Sequence, residues 1–162
     1  MTAYDPSEWS ELFVAAAGAS AALAGLLFVA VSINLDRIIG GEGLPERALE
    51  AVLMLVAVLV VSIIGLVHGQ SRGVFGAELF VTAAALAFAV LRPIRVVPEN
   101  GPRYYVASRW ALRLAGTVPL VIGAVSVMNG GGGGLYWVVA GIVFAILAAV
   151  ANAWVLLVEI LR

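Results

Sequence analysis

Five long stretches of the chain carry almost no charge, and short polar segments separate them. The first is LFVAAAGASAALAGLLFVAVSINL, 12–35; the second is AVLMLVAVLVVSIIGLV, 51–67; the third is VFGAELFVTAAALAFAVL, 74–91. The fourth is WALRLAGTVPLVIGAVSVM, 110–128, and the fifth is LYWVVAGIVFAILAAVANAWVLLVEIL, 135–161. Each has roughly the 17–25 residues that a helix needs to cross about 30 Å of hydrocarbon, the fifth slightly more. The pattern predicts an all-α integral membrane bundle of five transmembrane helices forming a single domain over 1–162. Its helices are expected at about 9–37, 45–69, 74–92, 106–129 and 135–161.

The segment ends have local causes. Pro45 suits the first turn of a helix, where its missing N–H is not needed. Gly69 and Gly73 bound the turn GQSRG, and Pro93 disfavours helix at Arg92. RPIRVVPENGPRYY reads as a loop around the turn PENG, and NGGGGG, 129–134, as a flexible linker. Pro119 should kink the fourth span, because the bond to the Ala115 carbonyl is lost.

Composition supports this reading. Hydrophobic residues make up 63% and charged residues 12% of the chain, about half the charge of an ordinary soluble protein. There is no cysteine and only one histidine, His68. Disulfides, thiolate metal sites and a bis-histidine haem within one chain are therefore excluded, and neither a metal nor another cofactor is expected. The N-terminal MTAYDPSEWSE has three acids and no Arg or Lys, the reverse of a signal peptide's basic start.

All nine basic residues are arginine, which with the Ala, Gly and Val content suggests a GC-rich bacterial genome. Arg37, Arg47, Arg92, Arg95, Arg103, Arg109 and Arg162 fall on one side of a five-span chain, with Arg113 just inside the fourth span; only Arg72 falls on the other. The positive-inside rule then places the N-terminus outside and the C-terminus in the cytoplasm of a bacterial inner-membrane protein. Trp9, Tyr136 and Trp137 would mark the outer interface, and Tyr104, Tyr105, Trp110 and Trp154 the inner one.

Three sets of residues are candidates for function. Ala15, Gly18, Ala22, Gly25, Val29 and Ser32 follow a three–four rhythm and form one ridge of mostly small residues on the first span. Such ridges let helices approach closely in lipid, where no hydrophobic drive pulls them together. The ridge either packs within the chain or forms a subunit interface or pore-facing seam. Glu78 is fourteen residues before Arg92, about 21 Å along a helix, and so lies in the outer part of the membrane. With His68, Thr82 and Glu11 it could form an ion or proton site; alternatively Arg72 or water satisfies it. On the inner side, Arg109 and Arg113 share one helix face, as do Glu46 and Glu50. Glu50 is the expected partner of Arg113, in an ion pair that could also contact anionic lipid headgroups.

Other chemistry finds little support. The basic loop with Tyr104 and Tyr105 is explained by topology and anionic lipid, so no nucleic acid is expected. The glycine run lacks the Lys-Ser/Thr of a phosphate loop. No hydrolase or protease motif occurs, and the chain is read as non-enzymatic.

The runs AAAGASAALAGLLFVAVSINLDRII and LPERALEAVLMLVAVLVVSIIGLVHGQ, followed by GAEL, resemble a family of small bacterial multi-pass membrane proteins sometimes labelled modulators of the protease FtsH. The resemblance covers roughly residues 12–79 and implies an inner-membrane protein without an active site to carry over. The chain is expected to be homo-oligomeric or an accessory subunit of a membrane complex. A small ion or proton channel, with the first span lining the path, and a protease modulator are the alternatives.

Overall fold

A computed structural model describes residues 3–41, 43–92 and 103–160, with side chains for all of these except 103–107 and 159–160. Arg95, Arg162 and the PENG turn lie outside the described residues, as do the side chains of Arg103, Tyr104, Tyr105 and Glu159.

Every regular element among the described residues is helical. A 3-10 turn, Pro6–Trp9, leads into α1 (Ser10–Ile33), α2 (Leu35–Gly40), α3 (Leu44–Gly65), α4 (Arg72–Leu91), α5 (Arg103–Asn129) and α6 (Leu135–Ile160). Five helices are long and apolar enough to cross a membrane: Pro6–Ile33, Leu44–Gly65, Arg72–Leu91, Ser108–Asn129 and Leu135–Val158. Their outer faces suit lipid. Leu26, Phe28, Ile33 and Phe88 are each 65–76% exposed, a surface that a water-soluble monomer rarely carries.

Hydrogen bonds set the helix ends more sharply than hydropathy does. Asp5 caps the opening turn, accepting from the Ser7 N–H at 3.0 Å and the Ser7 hydroxyl at 2.6 Å. These bonds hold the Asp5 carboxyl below its ordinary value. The Asn34 amide donates to the Ala30 carbonyl at 2.9 Å, and its backbone leaves helical geometry at φ −111°, ψ 21°. The first span therefore stops at Ile33 instead of reaching 37, and LDRIIG forms the separate α2. Gly43, at φ +74°, and Pro45 start α3, which ends at Gly65 rather than 69. Ser71 caps α4 by accepting from the Val74 N–H at 3.3 Å, so Arg72 is helical and not part of the preceding turn. α5 continues through Pro119 without interruption.

Helices α3, α4, α5 and α6 form a ring in which α3 packs on α4, α4 on α5, α5 on α6 and α6 back on α3. α1 stands outside this ring, packed chiefly on α3. Glycines set the close approaches. A methyl on Gly65 would collide with the Phe13 ring, on Gly76 with Met128, on Gly123 with Val138 and on Gly141 with Leu120; Gly116 rests against Ala145. Contacts between 116 and 145, 120 and 141, and 123 and 138 fix an antiparallel register for α5 and α6. Ala51, Met54, Val58, Ala83, Ala124, Val127, Ala145 and Ala148, from all four helices of the ring, are fully buried.

The glycine run is a pinned turn and not a flexible linker. Gly130, Gly132, Gly133 and Gly134 all have positive φ, a region that side-chain-bearing residues rarely enter. The Ser126 hydroxyl donates to the Gly131 carbonyl at 2.5 Å and accepts from the Gly134 N–H at 2.7 Å. The Trp137 indole donates to the Gly132 carbonyl at 2.9 Å. The N-terminal segment closes over the turn: Leu135 N–H donates to the Ala3 carbonyl at 2.7 Å, and Gly133 N–H to the Tyr4 hydroxyl at 3.3 Å.

Candidate functional site

Two polar clusters lie at opposite ends of the ring. The arginine end holds the starts of α3 and α5; the glycine end holds the start of α4 and the pinned turn.

At the arginine end, Glu50 of α3 meets both Arg109 and Arg113 of α5 across the ring's diagonal. Arg113 bonds Glu50 Oε1 directly, and Arg109 Nη2 donates to the same oxygen at 3.2 Å. The side chains of Arg113 and Glu50 are 3% and 8% exposed, against 17% for Arg109. The i,i+4 spacing of the arginines presents both to the ring, and burial forces each toward an acid. The Arg113 guanidinium also lies 5.4 Å from the Trp110 ring centre. Thr117, one turn deeper, donates its hydroxyl to the Arg113 carbonyl at 2.8 Å. The α5–α6 register puts the buried Asn152 level with Arg109. Spacing alone points to Glu50 with Arg113. It does not reveal that Asn152 stands level with Arg109, because that needs the register between helices.

At the glycine end, the carboxylate of Glu78 accepts from the Gln70 amide at 2.8 Å. Gln70 was not among the residues singled out from sequence, and only its place in the turn before α4 hints at the role. Glu78 is half-buried, six residues from the start of α4, about 9 Å along the helix. Thr82 shares its face, but the hydroxyl bonds the Glu78 backbone carbonyl at 2.9 Å and not the carboxylate. His68 and Glu11 are exposed, and neither side chain has a hydrogen bond or ion pair among the described residues. Arg72 lies 5.4 Å from the Tyr4 ring centre instead of pairing with Glu78. The four residues therefore form no relay in this structure. A path lined by α1 would have to form between copies, because the ring's interior is packed and α1 stands outside it.

The ridge on α1 faces outward. Ala15, Gly18, Ala22, Gly25, Val29 and Ser32 are all exposed, whereas Phe13, Ala16, Ser20 and Leu27 are buried. A methyl added at Gly18 or Gly25 would meet no atom within 4 Å. Packing within the chain thus does not use the ridge. The Ser20 and Ser32 hydroxyls are turned back onto the carbonyls of Ala17 and Phe28.

Compared with protein-family models, curated proteins and solved structures, the chain matches none.

Proposed function

We propose that this is a non-enzymatic bacterial inner-membrane protein, N-terminus outside, that associates with further copies of itself through the ridge of α1. One contrast carries the reading. Gly65, Gly76, Gly116, Gly123 and Gly141 each press against another helix, whereas a side chain added at Gly18 or Gly25 would meet nothing within 4 Å. Glycine in a helix interior costs roughly 0.5–1 kcal/mol relative to alanine, and close helix approach is the return it gives in lipid. On α1 that return requires a second molecule. A heterologous partner on the same face is what the resemblance to protease modulators would imply.

Native mass spectrometry from lipid nanodiscs tests the proposal. Wild-type protein should be a dimer or larger, and Gly18→Leu and Gly25→Leu should be monomeric with unchanged helicity. A wild-type monomer would remove the basis for self-association. An oligomer that survives both substitutions would move its interface off α1.

A further inference from the structure

The cluster at the arginine end is not balanced in charge. One carboxylate, Glu50, serves two guanidinium groups, and both bond the same oxygen. A guanidinium does not lose its proton at physiological pH. Glu46 and Arg47, about one turn away on α3, add one charge of each sign. Among these five described side chains, positive charge exceeds negative by one. Among the described residues here, two buried donors, Nε of Arg109 and Nε of Arg113, have no acceptor, against one buried acceptor, Oε2 of Glu46, without a donor.

The cluster opens at Arg109. Its side chain is 17% exposed, against 3% for Arg113 and 8% for Glu50. It stands one residue before Trp110, at the start of the fourth apolar run. The neighbouring Trp110 and Leu114 are 40% and 43% exposed on the outer surface of the ring. An exposed tryptophan at the end of a span belongs at the headgroup level, where lipid phosphates lie.

We infer that Arg109, oriented by Glu50 and backed by the charge of Arg113, binds a singly charged phosphate group, namely the phosphodiester of an anionic phospholipid. One negative charge neutralises the surplus. The tetrahedral oxygens match the forked donors of a guanidinium. Glu50 and Arg113 act as positioning residues, and Arg109 makes the contact. Free phosphate offers the same chemistry.

The full-length protein in nanodiscs of mixed phosphatidylglycerol and phosphatidylcholine tests this. Lipids retained in native mass spectra should favour phosphatidylglycerol about fivefold, and Arg109→Gln should abolish the preference. Wild type with no preference, or a variant that keeps it, overturns the lipid site. Inorganic phosphate, added to protein in phosphatidylcholine alone, forms the other arm. A melting-temperature rise that Arg109→Gln removes, without lipid preference, identifies free phosphate as the occupant. No effect in either arm overturns the site altogether. A photo-crosslinking phosphatidylglycerol on wild type does not depend on the variant folding. It should label the peptide containing Arg109 to Leu114, and labelling only elsewhere overturns the inference.

Discussion

Glu50 has an acceptor's task that no other described residue at the arginine end duplicates, since Arg109 and Arg113 converge on one of its oxygens. Removing one partner of a buried pair leaves the other charge uncompensated, at a cost of roughly 3–5 kcal/mol. Glu50→Gln should therefore lower thermal stability in detergent by about that much, and Glu50→Gln with Arg113→Gln should recover part of the loss. Equal melting of wild type and Glu50→Gln would mean that the pair carries no structural weight. This pairing was legible in the sequence because charges inside apolar runs are few and their helical spacing assigns them a face. The Gln70–Glu78 bond was not legible, because it depends on how the turn before α4 folds back and not on periodicity.

Helices were legible as spans but not at their ends. Hydropathy averages over a turn or more, whereas Asn34 and Ser71 act through single hydrogen bonds that move a boundary by several residues. The glycine run was misread for a related reason: its composition is that of a linker, but Ser126, Tyr4 and Trp137 hold it from outside the run. The glycines within helices separate into two classes that can be tested against each other. Gly141→Val would drive a side chain into Leu120 and should cost about 1–3 kcal/mol, as overpacking does. Gly25→Val meets open space and should change the stability of the monomer by no more than about 0.5 kcal/mol. Chemical denaturation in mixed micelles compares the two, and equal losses would contradict the packing described.

The molecule as a whole is a four-helix ring with a fifth span attached to α3. The sequence gives the number of spans, since each apolar run is long enough to cross alone. It does not give the ring, because every run is apolar on most sides and the choice of neighbours depends on glycine contacts. The two ends can be told apart chemically, because the chain has no cysteine of its own. Single cysteines at Gly40 and Gly131 lie at the arginine end and the glycine end, and neither site is crowded. In intact cells a membrane-impermeant thiol reagent should label the residue at Gly131 and spare the one at Gly40. Labelling of both would refute the five-span arrangement, and the reverse pattern would invert the orientation.

The connectivity of the ring also imposes an order in time. α1 can dock as soon as α3 is made, because α3 is its chief partner. The ring closes only through α6 on α3, so the second span must wait in the bilayer for the last. During synthesis, the Glu50 carboxylate enters the membrane before either arginine that later neutralises it. Until α5 arrives its partner is water at the interface. Commitment to the folded state is therefore late, and it depends on the half of the chain that contains the pinned turn.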